Sequence, residues 1–123
     1  NGTAPRTMRL IVTYKRFDIV KVPFPFTDRQ AAKNRPAMVL SDEGAFNSRI
    51  GHTVMAMITS AKHTDWPLDT TIQDLAETGL KAPSKIRLKL FTLDDRLILG
   101  RLGGLCPSDQ SAFEKNLQRL LSL

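Results

Sequence analysis

The feature that most constrains the fold is an unbroken, mostly apolar run in the middle of the chain, residues 52–59 (HTVMAMIT). A run of this length without polar alternation is typical of a β-strand covered on both faces, so we expect it to be the central strand of a sheet. The chain has 123 residues, which is the size of one domain with one core. Its hydrophobic share of 41% and charged share of 24% exclude a wholly disordered protein.

Shorter strand patterns flank this run. Residues 17–22 and 35–40 are predicted to form two strands joined by a polar, exposed loop, and residues 96–102 are predicted to form another. Residues 84–91 alternate apolar and basic side chains with a period of two, which is typical of a strand with one face in the core. The basic face of that strand carries Lys85, Arg87 and Lys89.

The remaining segments are predicted to be turns, loops and one helix. Residues 41–51 have the composition of a turn, and residues 60–83 that of a loop with short strands and one helical turn over 72–77. An amphipathic helix near the end of the chain is expected to have Ser108 or Asp109 as its N-cap. Its apolar stripe consists of Phe113, Leu117, Leu120 and Leu121.

Five or six short strands with one C-terminal helix predict a mainly β fold. The arrangement we expect is a small, strongly bent antiparallel sheet or barrel against which the helix packs. Residues 16–123 are expected to form this domain. Residues 1–15 are expected to be an N-terminal arm that is partly disordered or added to the natural chain.

The charge is distributed unevenly along the chain, whose formal net charge is +6. Residues 1–41 carry eight basic and two acidic side chains, residues 42–80 two basic and six acidic, and residues 81–123 eight basic and four acidic. A positive groove attracts phosphates, so nucleic acid is the first class of partner to consider. The alternative is that the charge serves only solubility.

The sequence also argues against several classes of site. No apolar run approaches the ~20 residues of a membrane span and no signal-peptide layout begins the chain, so we expect a cytoplasmic protein that does not contact a membrane. The single cysteine, Cys106, excludes an internal disulfide, and the two histidines, His52 and His63, lack the spacing of metal ligands. We therefore expect no metal and no cofactor.

Five short motifs follow one another along the chain: FDIVKVPFPFTD at residues 17–28, NRPAMVLS at 34–41, MITS at 57–60, KLFTLD at 89–94 and LGGL at 102–105. In this order and spacing they resemble the MazF/PemK family of bacterial toxins. The resemblance implies an SH3-like barrel that forms a homodimer and acts as the toxin of a type II toxin–antitoxin system. It also implies an endoribonuclease that cuts single-stranded RNA, and a cognate antitoxin whose acidic, flexible tail lies over the basic groove.

The resemblance further implies which residues carry the reaction. Metal-free RNA cleavage uses the neighbouring 2′-OH as nucleophile and leaves a 2′,3′-cyclic phosphate and a 5′-OH, so the site must move protons and stabilise charge on phosphorus. Arg35 matches the family's catalytic arginine, whose guanidinium can fork onto two phosphate oxygens. Thr59 matches the catalytic hydroxyl at the end of the central strand, with Ser60 as a helper. The alternatives are that Arg35 pairs with Asp42 or Glu43 at the surface and that Thr59 caps the backbone.

Other residues are candidates for substrate contact. Arg87 stands where one branch of the family has an arginine followed two residues later by an acid, but here that acid is replaced by Lys89. Both side chains are therefore expected to grip RNA phosphates, or else to form a solvated strand face. In the first loop, Asp28 can orient Arg35 or simply form a turn, and Lys33 adds positive charge.

Weaker candidates lie in two regions, the segment after the central strand and the first loop. His63, with Asp65 two residues on, is a candidate general acid and substrate contact. The alternative is an ordinary exposed histidine of a loop. Trp66 can stack on a base or serve as a partly buried anchor at a dimer interface. Phe24 and Phe26 can line a base pocket, but packing in the core or dimer interface is the stronger expectation for them.

A metal-independent endoribonuclease toxin is therefore the first hypothesis. The alternative is a non-catalytic module of the same fold that binds RNA or an acidic protein segment, including a toxin that acts on a protein target. The two hypotheses differ in the chemistry they need. A nuclease needs Arg35 and Thr59 within reach of one phosphate, whereas a binder needs only positive charge.

Overall fold

The computed structural model of the chain describes residues 12–23 and 33–123. Within these ranges the protein is a sheet of six strands followed by one long helix, which confirms the predicted mainly β architecture. The strands are β1 (Asp18–Pro23), β2 (Asn34–Val39), β3 (His52–Ser60), β4 (Thr70–Thr71), β5 (Ser84–Asp94) and β6 (Gly100–Gly104), and the C-terminal helix is Pro107–Leu121.

The strands form one antiparallel sheet in the spatial order β4-β5-β3-β2-β1-β6. β3 lies inside the sheet, between β5 and β2, as the apolar run predicts. Its consecutive residues Met55 and Ala56 point to opposite faces, and both are 0% exposed. The central strand is therefore covered on both sides.

Each face of the sheet has its own apolar core, because alternate residues of every strand point to opposite sides. The helix-side core is closed by the C-terminal helix; its buried members are Ile19, Met38, Ala56, Ile58, Ile72, Ile86, Leu105 and Phe113. The second core lies on the other face; its buried members are Tyr14, Val20, Val22, Ala37, Val39, Met55, Phe91, Leu93 and Ile98. The C-terminal helix covers only one of the two cores, so the sheet curls over the other core and encloses it, which gives the predicted bent shape.

β5 carries two extra residues, Leu88 and Lys89, between the residues that pair with Ala56 and Met57 of β3. Such a bulge bends a strand and increases its twist. Because two residues are inserted, the predicted alternation continues on both sides of the bulge. Leu88 packs against the helix-side core, whereas Lys89 lies on the basic face of β5.

The connection between β2 and β3 differs from the simple turn predicted for residues 41–51. It contains two short helical segments, Glu43–Asn47 and Ser48–Ile50. The second segment ends at Gly51, whose positive φ of 69° suits a residue without a Cβ. The side chain of Asn47, which is 0% exposed, anchors the segment by donating to the carbonyls of Tyr14 and Ser41 at 3.0 and 3.1 Å.

Asp109 has a tertiary role that local sequence patterns do not predict. The residue is 1% exposed, and its carboxylate accepts hydrogen bonds from the backbone N–H groups of Gln73 and Asp74 at 3.1–3.2 Å. Residues 72–77 form no helix in the structure, so the helical turn predicted there is wrong. The N-cap prediction is also wrong, because the helix begins at the proline before Ser108, and the N-cap residue is Cys106, whose side chain makes no capping hydrogen bond.

The predicted apolar stripe of the C-terminal helix is buried over only part of its length. Phe113 is 0% exposed and Leu117 is partly buried, but Leu120 and Leu121 are 43% and 53% exposed. The last turn of the helix therefore leaves apolar surface uncovered. In the part of the chain that the structure describes, no helix combines the length and the apolarity needed to cross a membrane.

Replacing Asp109 tests this arrangement. Asp109→Ala is expected to lower the free energy of unfolding by about 1–3 kcal/mol, because two part-buried N–H groups lose their acceptor. Ser108→Ala is the matched control and should change it by less than about 0.5 kcal/mol, since no cap is lost. Urea denaturation measures both, and equal losses in the two variants would contradict the tertiary role of Asp109.

Candidate active site

Arg35 and Thr59 lie on neighbouring strands at the same end of the sheet. The ladder between β2 and β3 ends with Ala37 opposite Met57, and two residues further along each strand are Arg35 and Thr59. Because side chains two residues apart on a strand share a face, both side chains belong to the face of the second core. Arg35 is half-buried and pairs through its backbone with Val22 of β1. The topology thus brings the two predicted catalytic residues to one place.

Thr59 is hydrogen-bonded to His63. The Thr59 Oγ1 atom lies 2.6 Å from the His63 Nδ1 atom. A tight turn after β3, in which the His63 N–H donates to the carbonyl of Ser60 at 3.1 Å, brings the imidazole back over the strand end. Thr59 is 4% exposed whereas His63 is exposed, so the imidazole is the solvent-facing member of the pair.

The direction of this hydrogen bond depends on the proton at Nδ1. A neutral His63 that lacks this proton accepts from the Thr59 hydroxyl, and the hydroxyl then has no proton left for a substrate oxygen. When Nδ1 is protonated, in the other tautomer or in the imidazolium, His63 donates and the hydroxyl is able to donate elsewhere. Protonation of His63 therefore controls what Thr59 can do.

Lys85, which pairs with Thr59 across the sheet, is buried in an ion pair. The residue is 2% exposed, and its Nζ atom contacts the Asp65 Oδ1 atom at 2.6 Å and the Asp69 Oδ2 atom at 3.9 Å. Nζ also donates to the carbonyl of His63. Lys85 therefore holds the segment that carries the imidazole.

Arg87 is bound to Asp69 rather than solvated. Its Nε and Nη2 atoms contact the two carboxylate oxygens of Asp69 at 3.2 and 2.9 Å, and Nη2 also donates to the carbonyl of Thr64 at 2.7 Å. Both side chains are buried, at 8% and 7% exposure. The solvated-face alternative is therefore wrong for Arg87, and its guanidinium faces a carboxylate of the chain where an RNA phosphate was expected.

These four side chains, Asp65, Asp69, Lys85 and Arg87, form what we call the ion cluster. Two positive and two negative groups make it formally neutral. It joins the loop between β3 and β4 (residues 61–69) to the basic face of β5, so its first effect is to fix that loop. The pKa of Asp65 is lowered, first by its hydrogen bond to Lys85 and then by the charge of that lysine.

Trp66 lies over the ion cluster. The indole is 4.8 Å from the Arg87 guanidinium carbon and 5.9 Å from the Lys89 Nζ atom, measured to the ring centroid. Both distances are those of cation–π contacts. The residue remains 43% exposed, so it is not a core residue.

The other candidate residues lie beside Thr59, elsewhere on the sheet or outside the described residues. Lys33 is exposed and directly precedes β2, and Ser60 is half-buried with its Oγ atom accepting from the N–H of Lys62 at 3.2 Å. His52 lies at the opposite end of β3. The predictions for Asp28, and those for Phe24 and Phe26, fall outside the described residues.

The described residues include no group of three or more His, Cys, Asp or Glu side chains arranged to hold a metal ion.

Comparison with known proteins decides the family. A family model described as "PemK-like, MazF-like toxin of type II toxin-antitoxin system" matches residues 15–121. The chain belongs to this family. No curated protein sequence matches it.

Solved structures of MazF proteins share the fold at low sequence identity. MazF from Deinococcus radiodurans is 22% identical, with a TM-score of 0.69 over 91% of this chain and 99% of that one. An endoribonuclease in complex with its cognate antitoxin, from a mycobacterial species, is 16% identical, with a TM-score of 0.71 over 89% of this chain and 96% of that one. The toxin MazF-mt6 of Mycobacterium tuberculosis is 19% identical, with a TM-score of 0.69 over 86% and 97%.

The ion cluster supplies a carboxylate beside Arg87, although the strand has Lys89 where an acid was expected two residues after that arginine. The carboxylate beside Arg87 comes from Asp69, in the loop before β4, and not from the strand position occupied by Lys89. Sequence reasoning did not identify Asp69 or Lys85 as site residues. The only available signal was the contrast between an acidic segment, residues 42–80, and a basic strand after it.

The lowered pKa of Asp65 gives a direct test of the ion cluster. Because the folded value lies below the unfolded one, the ion pair stabilises the fold above the ordinary pKa of an aspartate, and this stabilisation is lost as the pH falls through the lowered value. Lys85→Met is expected to raise the pKa of Asp65 toward its ordinary range. Lys62→Met, which removes an exposed lysine of the same loop, should leave it unchanged.

An NMR titration of the Asp65 carboxyl carbon makes this measurement. A pKa of Asp65 that is the same in Lys85→Met and in the wild type would contradict the contact.

Proposed function

We propose that this toxin is an endoribonuclease that cleaves single-stranded RNA without a metal ion, and that it acts in the cytoplasm, where messenger RNA is found. The observation that carries the proposal is the Thr59–His63 hydrogen bond at 2.6 Å, one strand away from Arg35. It combines a hydroxyl, an imidazole that can donate or accept a proton, and a guanidinium at one end of a sheet. The resemblance of the fold to MazF proteins supports the same reaction.

The reaction we propose is an internal transesterification. The 2′-oxygen forms a bond to phosphorus while the bond from phosphorus to the 5′-oxygen breaks, giving a 2′,3′-cyclic phosphate and a 5′-OH. The proton of the 2′-OH leaves to a base, and the departing 5′-oxygen takes up a proton. Arg35 contacts two non-bridging oxygens as charge develops on them, and the Thr59 hydroxyl donates to one of them.

His63 sets the state of Thr59 in this scheme. With Nδ1 protonated, the imidazole donates to Thr59 and frees the hydroxyl proton for the phosphate. An imidazolium also carries a proton at Nε2, which makes it a candidate donor to the 5′-oxygen. His63 thus has a role both in substrate contact and in proton transfer.

The ion cluster positions this loop. Lys85 binds the His63 carbonyl, and Arg87 binds the Thr64 carbonyl and Asp69, so the backbone at His63 and directly after it is tied to β5. We propose that Arg87 is a positioning residue, and that Lys33, Lys89 and the helper Ser60 contact the flanking RNA.

The partners follow from the family and from the surface. We propose a cognate antitoxin with an acidic, flexible tail, because the chain carries a net charge of +6 and an endoribonuclease of the same fold has been solved with its antitoxin. We also propose a homodimer. The exposed apolar side chains of Leu120 and Leu121 are candidates for its interface.

A second candidate is a toxin of this fold that binds RNA or a protein target without cleaving it. One observation favours it: the ion cluster neutralises both Lys85 and Arg87, so two of the basic residues beside Thr59 have internal partners. A binder would lose affinity when Arg35 is replaced by a neutral residue, as it would on loss of any other basic contact, because it depends on positive charge alone.

Cleavage of a long RNA in excess EDTA distinguishes the two candidates. Arg35→Ala is expected to lower kcat by ~100-fold or more, because a donor to the developing charge is lost, while KM changes little. Lys89→Ala is expected to raise KM with little change in kcat, and to reduce the salt slope of binding by about one unit, because one phosphate contact is lost.

Product analysis completes this experiment. A 2′,3′-cyclic phosphate and a 5′-OH support the mechanism. Activity abolished by EDTA and restored by Mg²⁺ or Mn²⁺ would refute it, and equal losses of affinity without any cleavage would favour the binder.

Substitution tests the role of His63. His63→Gln is expected to lower kcat by roughly 10²-fold or more, because the imidazole that contacts Thr59 and can transfer a proton is lost. His52→Gln, at the far end of β3, is the matched control and should keep the wild-type kcat. A kcat of His63→Gln equal to that of the wild type would exclude His63 from the reaction.

A further inference from the structure

Trp66 is an isolated aromatic residue on a charged part of the surface. It is 43% exposed, and every other exposed large hydrophobic residue in the described ranges lies before residue 51 or after residue 96. Its neighbours are instead Arg87 and Lys89, and the carboxylate of Asp65 precedes it in the chain. Lysine and aspartate are depleted in protein–protein interfaces, whereas tryptophan and arginine are enriched there, so Lys89 and Asp65 are the neighbours that argue against a dimer contact.

The indole is held in a fixed position. The backbone N–H of Trp66 donates to the Asp69 carboxylate at 2.9 Å, and the N–H of Asp69 donates back to the Trp66 carbonyl at 3.3 Å. The ring covers the guanidinium of Arg87, which is itself held by Asp69. A ring with this support loses little conformational freedom when a ligand stacks on it.

The indole also lies close to the proposed reaction centre. Arg87, which it covers, pairs with Met57, and Met57 is two residues from Thr59 along β3. Two residues of a strand span about 6.8 Å. This span is about the length of one nucleotide, so the strand position paired with Arg87 lies about one nucleotide from Thr59. We therefore expect an RNA phosphate at Thr59 to bring a neighbouring base toward the indole that covers Arg87.

We propose that Trp66, supported by Arg87 and Asp69, is a stacking platform for one nucleobase next to the scissile phosphate. The inference rests on the proposed function, because it presumes that RNA binds at Thr59. Positive groups with an interleaved exposed aromatic ring are the usual arrangement of single-strand binding surfaces. The platform binds any base through its π-face, with purines favoured over pyrimidines by their larger rings.

Fluorescence provides the first test, because Trp66 is the single tryptophan of the chain. The probe is a short 2′-O-methyl RNA, which has no free 2′-OH and so cannot be cleaved by the proposed reaction. We expect saturable quenching of the Trp66 emission by this oligonucleotide, stronger for purine than for pyrimidine sequences. Inorganic polyphosphate, which carries phosphates without bases, should bind without this quenching.

Substitution provides the second test. Trp66→Leu should raise KM for RNA cleavage about 5- to 150-fold with kcat nearly unchanged, because a stacking contact made equally before and during the reaction is lost. Trp66→Tyr should recover most of the affinity. Leu97→Ala, which removes an exposed apolar side chain at the far end of the sheet, is the control and should match the wild type.

The outcomes separate this inference from the proposed function. Quenching without any cleavage would support the platform and refute the nuclease. Cleavage with no quenching by a bound oligonucleotide, or with the same KM in Trp66→Leu, would refute the platform and leave the nuclease standing. A Trp66 emission spectrum that changes with protein concentration as dimers form by light scattering, and that does not change with oligonucleotide, would place Trp66 in a dimer interface. That result would also refute the platform.

Discussion

The buried contact between Asp69 and Arg87 is the interaction on which the rest of the site depends. Both side chains are almost fully buried, and the carboxylate is held by the guanidinium, by the N–H of Trp66 and, more distantly, by Lys85. Removing one partner of such a buried pair typically costs about 3–5 kcal/mol, because the other charge is left without compensation. The loop that carries His63 and Trp66 is therefore bound to β5 by electrostatics rather than by an apolar core of its own.

The difference between what the sequence predicts and what it misses has a physical cause. The apolar run of β3 and the alternation of β5 are local patterns, and both identify the correct strands and faces. The registry of Arg35 and Thr59 follows from the same periodicity together with family resemblance. The partners of Arg87 do not, because a pairing between a loop aspartate and a strand arginine 18 residues away leaves no periodic signal.

The failed predictions at the C-terminal helix have the same origin. An aspartate near a helix start is most often a cap, and residues 72–77 have the composition of a helical turn. Asp109 instead accepts from backbone N–H groups of that segment, so its carboxylate makes a tertiary contact and does not cap its own helix. At the active site and at this helix alike, a buried carboxylate overrides local propensity by binding donors that are distant in sequence.

Because the ion cluster is neutral, the attraction of RNA and the recognition of its bases must come from different residues. The net charge of +6 can attract RNA from a distance, but the buried Lys85 and Arg87 contribute no net charge once Asp65 and Asp69 are counted. Attraction must therefore come from exposed basic residues such as Lys33 and Lys62, whose contacts with phosphate carry no information about base sequence. Any preference for particular bases has to arise where the chain meets the base itself. Among the residues around Thr59, an immobilised aromatic ring on a neutralised guanidinium is suited to that contact, because it binds through dispersion and stacking, which salt does not screen.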